Sequence, residues 1–157
     1  DLNARRAKGP TEQTTDPVCL LAGSPPPDRR LHAVIEAAGW HAVGQTLAAV
    51  WADAGAPVAE GSGDPAAAIG RHVYAHQVGQ RAFLDRGAGL VTRARALRAK
   101  AVVLWCIEED ETQVWHVPAQ RAALEQAGIP VLVLTRCNWR ANDGVDAKIA
   151  AFLKGAA

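Results

Sequence analysis

Methionine is missing from this 157-residue sequence, cysteine occurs only three times, and the aromatic set holds one tyrosine and two phenylalanines against five tryptophans. Three thiols at wide, irregular intervals (Cys19, Cys106 and Cys137) make no paired disulfide framework, so a reducing cytoplasm is the expected setting. There is no C-x-x-C, no H-E-x-x-H or H-x-x-E-H, and no G-x-G-x-x-G, which removes the usual zinc and dinucleotide fingerprints. Charge of one sign is not in excess either. With 17 basic and 16 acidic residues and a net charge of +1, nothing general draws the chain to nucleic acid or to an anionic membrane. The longest apolar stretches, residues 18–22, 101–107 and 129–134, fall far short of the roughly 20 residues that span a bilayer. The polar opening, residues 1–16, is broken by Lys8-Gly9-Pro10 and lacks the apolar segment of a secretory signal. It reads as a flexible lead or linker, and a chain that starts at Asp1 without any methionine reads as part of a longer one.

What is present suits one core. A hydrophobic content of 49% over this length can bury a single α/β domain, taken here as residues 17–157, but not two large lobes. Val18-Cys19-Leu20-Leu21-Ala22 runs into Gly23-Ser24-Pro25-Pro26-Pro27-Asp28, the pattern of a buried strand entering a rigid loop. Leu31, Val34, Ile35 and Ala38 follow at helical spacing, with Asp28 as N-cap and Gly39 as the stop. A weaker strand is expected over residues 40–47, a surface loop over 53–64, and a helix opened by Asp64-Pro65 that continues through Tyr74 and His76. A further helix over 82–100 feeds the clearest strand, 101–107, whose apolar run without alternation is that of a strand covered on both faces. Residues 118–127 give a helix that ends in Gly128-Ile129-Pro130, residues 131–134 a second fully apolar strand, and residues 143–153 the last helix. The alternation calls for right-handed crossovers. The expected fold is a doubly wound, Rossmann- or flavodoxin-like, mostly parallel sheet of about four strands with helices on both faces.

Several segments in order resemble the C-terminal domain of the benzoyl-CoA reductase and 2-hydroxyacyl-CoA dehydratase family. They are Leu20-Leu21-Ala22-Gly23-Ser24, Leu31-His32, Ile35-Glu36-Ala37-Ala38-Gly39, Arg81, Ala99-Lys100-Ala101-Val102-Val103-Leu104-Trp105, and the long stretch from Pro118 to Leu134. The resemblance covers residues 18–153 and implies radical chemistry on a coenzyme A thioester, either elimination of water from a 2-hydroxyacyl group or reduction of an aromatic acyl ring. It also implies a [4Fe-4S] or double-cubane cluster held by cysteines, a related partner subunit, and an ATP-dependent activator that supplies electrons. The sequence departs from the pattern at one place. Counting back from Pro118, the position at which such domains donate a cluster cysteine falls near Asp110, inside Glu108-Glu109-Asp110-Glu111. The resemblance therefore implies a small accessory subunit, a degenerate paralogue or a fragment that binds no cluster alone and pairs with a larger paralogue. A non-catalytic scaffolding domain with the same fold is the alternative, and a self-sufficient small enzyme built on the acidic loop a third.

In a doubly wound sheet, ligands sit beyond the carboxyl ends of the strands, so the segments from Gly23, Glu108 and Thr135 onward are the candidate rim. Gly23 and Ser24 offer backbone approach to a phosphate or thioester oxygen, or else a plain rigid turn. Glu109 and Asp110 are the candidate acid–base carboxylates, against a capping role for the acidic run at the next helix. Trp115, His116 and Trp139 are candidate acyl-group contacts, and five tryptophans fit a partner or acyl surface. Cys106 and Cys137, at the ends of the two strongest strands, are weak candidate metal ligands; two sulfurs do not hold a cubane, and buried thiols are the plain alternative.

Overall fold

A computed structural model of the chain describes residues 15–52, 57–58, 63–75 and 85–156. The apolar runs become strands β1 (Val18–Gly23), β2 (His41–Val43), β3 (Ala99–Ile107) and β4 (Val131–Cys137). They form one sheet in the order β2-β1-β3-β4, every pairing parallel. The helices are α1 (Arg30–Ala37), α2 (Leu47–Ala52), α3 (Pro65–Ala75), α4 (Arg86–Ala96), α5 (Glu111–Val114), α6 (Val117–Gln126) and α7 (Val145–Ala156). Among the described residues no helix is long and apolar enough to cross a membrane.

The unalternated sequence of β3 has a direct cause: Ala101 through Cys106 are all buried, because both faces of the strand are covered. Val103 and Trp105 pack with Leu31, Ile35, Ile149 and Leu153 from α1 and α7. Val102 and Leu104 pack on the other face with Leu90, Ala94 and Leu124 from α4 and α6. The chain leaves β1 for β2 on one side and returns to β3 on the other. The strand order thus reverses between β1 and β3, and in doubly wound sheets ligands bind beyond the carboxyl ends of strands at such a point.

Boundaries differ from expectation where side chains or backbone geometry intervene. The second strand stops at Val43, because a Cβ on Gly44 would lie 2.7 Å from the Leu21 carbonyl oxygen and His32 Nε2 meets the Gly44 carbonyl at 2.9 Å. The Leu47 amide then donates to the Pro26 carbonyl and α2 begins. Asp28 is not the N-cap residue of α1; Arg29 occupies that position. The Asp28 carboxylate instead accepts from the Arg30 amide and pairs with its guanidinium, which holds its carboxyl below the usual range. Helix α4 is capped by Asp85, whose Oδ1 accepts from the Ala88 amide at 2.9 Å, and it ends at Ala96. Arg98 turns the chain at φ 53°, and Ala99 and Lys100 belong to β3 rather than to the helix. The loop expected over 53–64, most of the opening 16 residues, His76 and residues 82–84 lie largely or wholly outside the described residues.

Candidate functional site

Strand β1 ends on a residue that only glycine can supply. Gly23 has φ 98°, and a Cβ there would stand 2.3 Å from the Trp105 carbonyl oxygen, so β1 and β3 are pressed together at their carboxyl ends. The Ser24 amide donates to that same carbonyl at 2.8 Å, which folds Ser24 over the end of β3 and leaves it 2% exposed. Its hydroxyl then bonds to two groups at that edge. Ser24 Oγ accepts from the Ile107 amide at 3.3 Å and donates to Asp110 Oδ2 at 2.8 Å. Two rim segments 86 residues apart in sequence are joined by one buried hydroxyl.

The end of β4 reaches the same rim by a bulge. Trp105 faces Leu134 and Ile107 faces Cys137, so Thr135 and Arg136 together oppose Cys106, with Arg136 at φ 56°. Thr135 through Cys137 are therefore part of β4, not of the loop expected to start there. The bulge sends the Arg136 guanidinium to Glu108, 3.1 Å away, in an exposed pair. Asp110 stands at the N-cap position of α5 without a side-chain capping bond, so for this carboxylate capping gives way to the Ser24 contact.

The remaining candidates lie on the rim segments without joining this pair. Glu109 is exposed and Trp115 is 83% exposed, His116 is half-buried at the N-cap position of α6, and Trp139 is exposed just past β4. Among the described residues no hydrogen bond links their side chains to Ser24 or Asp110. Of the other tryptophans, Trp40 and Trp105 are core and Trp51 is 83% exposed. The structure also brings to this rim a residue that was not among the candidates read from the sequence, Arg86. Arg86 begins α4, and its Nη1 lies 3.5 Å from Gln113 Oε1 on α5. Its signal in the sequence was weak: a cap residue, an arginine and a glycine, Asp85-Arg86-Gly87, at a helix start.

Residues 1–154 match the family described as 2-hydroxyglutaryl-CoA dehydratase, D-component. The chain belongs to that family. It is accordingly related to a component of a 2-hydroxyacyl-CoA dehydratase, and the earlier resemblance and the parallel α/β fold agree with it. No curated protein matches the chain.

A dehydratase of this type uses an iron–sulfur cluster, and the described residues do not bring together a donor set for one. A cubane takes about four ligands, usually thiolates. This chain has three cysteines, all buried, and among the described residues no three His, Cys, Asp or Glu side chains are grouped to hold a metal. Burial pushes the Cys19 thiol up to about 12 and those of Cys106 and Cys137 to about 11. At Cys106 the Ser24 backbone amide works against that rise, while Asp110 and Cys137 add to it. Such thiols keep their protons at neutral pH.

Proposed function

We propose that this dehydratase-family chain is a subunit of a 2-hydroxyacyl-CoA dehydratase or benzoyl-CoA reductase-like complex, lending one wall of an acyl-CoA thioester site and requiring a larger paralogous subunit to carry the iron–sulfur cluster. The observation that carries this reading is the Ser24–Asp110 contact at the point where strand order reverses, the place in a doubly wound sheet where ligands bind. Ser24 fixes Asp110 through one oxygen, and the other accepts from the Thr112 hydroxyl at 3.4 Å. Elimination of water from a 2-hydroxyacyl group needs a proton taken from carbon and one delivered to the departing oxygen. In this proposal Asp110 and the neighbouring exposed Glu109 serve as the proton-carrying pair. Gly23 and Ser24 shape the floor, and Trp115, His116 and Trp139 are acyl or partner contacts on the same rim.

The experiment is anaerobic purification from the native host with a tag on this chain, followed by iron analysis and thermal melting with acyl-CoA esters. The expected result is a brown, iron-containing complex with a second subunit, and a melting shift with acyl-CoA that Glu109→Ala or Trp115→Ala diminishes. An iron-free chain without partner or shift would defeat the proposal. A complex whose turnover is unchanged by Glu109→Ala and Asp110→Asn together would make the chain a scaffold instead.

A further inference from the structure

Among the described residues the half-buried Arg86 guanidinium has no charged partner: none of the ion pairs includes it, and its Nε is buried without a hydrogen-bond acceptor. The nearest acid in sequence, Asp85, turns its carboxylate to the Ala88 amide at 2.9 Å and serves the helix cap. Among the described residues the acceptor that Arg86 meets is the neutral Gln113 amide oxygen at 3.5 Å, the outer limit of a hydrogen bond. A cation partly withdrawn from water and left uncompensated is costly, and a fold tolerates it where an anion is bound in the working state.

The position is fixed by packing. Helix α4 leads directly into β3 and runs opposite to it, so its N-terminus lies at the carboxyl edge of the sheet, where Gly87 sits against the Ala119 carbonyl and Ala123 of α6. Space at Gly87 is tight: a Cβ would lie 3.1 Å from both. The close approach of α4 to α6 presents Arg86 to α5, the turn that follows Asp110. A guanidinium offers a planar fork of donors that matches carboxylate or phosphate oxygens two at a time.

We infer that Arg86 is an anion-binding residue of the rim, receiving a phosphate or carboxylate group of a ligand that lies over the Ser24–Asp110 contact. The choice of a thioester as that ligand rests on the proposed function; the need for an anion rests on Arg86 alone. A coenzyme A ester has such oxygens in its phosphates, and a dicarboxylic acyl group carries one at its far end.

Binding to the full chain is measured by calorimetry for wild type, Arg86→Gln and Arg86→Lys, with pyrophosphate, butyryl-CoA, S-butyryl-pantetheine and S-glutaryl-pantetheine. Arg86→Gln should weaken the anionic ligand at least tenfold and leave a neutral one unchanged, with Arg86→Lys between, since it keeps the charge and loses the fork. Selective loss of butyryl-CoA relative to S-butyryl-pantetheine assigns phosphate, and selective loss of S-glutaryl-pantetheine assigns carboxylate; either supports the inference. Arg86-dependent binding of pyrophosphate without added affinity for any thioester supports the anion site and removes the thioester reading. Thioester binding that is equal in wild type and Arg86→Gln preserves that reading and overturns the role of Arg86, and wild type that binds none of the four ligands overturns both. The thermal midpoint of Arg86→Gln, expected to match or exceed that of wild type because an uncompensated charge is removed, shows that weakened binding is not unfolding.

Discussion

Ser24 is buried with its hydroxyl engaged on both sides, so its removal is felt in two places. In Ser24→Ala the Ile107 amide loses its hydroxyl acceptor and Asp110 loses a donor, and the expected loss is about 1–3 kcal/mol in urea unfolding. Asp110→Asn keeps an oxygen for the Ser24 proton and should cost less than about 1 kcal/mol. Equal stability of Ser24→Ala and wild type would mean that the two rim segments are held by something else. The thiols give a second prediction at this scale. Their ordinary value is 9.0, and burial raises Cys19 to about 12 and Cys106 and Cys137 to about 11. The unfolded chain therefore releases these protons first. Stability is intact below about pH 9 and declines as pH climbs through the folded-state values, at roughly 1.4 kcal/mol per pH unit for each thiol. Unfolding free energies should be level between about pH 7 and 8 and fall toward that slope between about pH 9 and 10.5, and Cys19→Ala should flatten the fall by about a third; an unchanged slope would remove burial as the cause.

At the scale of elements, the junction between β1 and β3 depends on Gly23. Gly23→Ala would set a methyl 2.3 Å from the Trp105 carbonyl oxygen at φ 98°, and the expected cost is about 3 kcal/mol or more, by strain and overpacking together. Gly128 also has a positive φ, of 70°, but a Cβ there meets nothing within 4 Å, so Gly128→Ala should cost only about 1 kcal/mol. The contrast in melting points separates crowding from backbone conformation. These elements were unequally legible in the sequence. Strands β1, β3 and β4 announced themselves by apolar runs without alternation, and their parallel order made a common rim predictable. The three-residue β2 was overextended, because the break at Gly44 comes from contact with Leu21 and not from local preference. Neither the Ser24–Asp110 contact nor the isolation of Arg86 could be read locally, since the first joins distant segments and the second is defined by a missing counter-charge. The acidic run had the composition of a helix cap, and only the fold turned Asp110 toward Ser24.

For the molecule as a whole, the doubly covered sheet makes stability common to both faces. Leu20 and Leu21 are adjacent in β1 and Leu104 and Trp105 in β3, yet each pair is divided between the two apolar clusters. Neither cluster can come apart while those strands remain in register, because successive side chains point to opposite faces. Leu104→Ala opens the face covered by α4 and α6, and Ile149→Ala opens the face covered by α1 and α7; both side chains are 0% exposed. Each truncation should cost about 2–5 kcal/mol, and because the sites lie on opposite sides of the sheet their effects should add to within about 0.5 kcal/mol. Near-UV dichroism, to which the buried Trp40 and Trp105 of one face contribute, and far-UV dichroism of the helices should lose signal at the same urea concentration in wild type and in both variants. If Ile149→Ala moved the tryptophan signal to lower urea and left the helical signal in place, the two faces would be separate folding units. The β1–β3 junction would then owe its geometry to one of them alone.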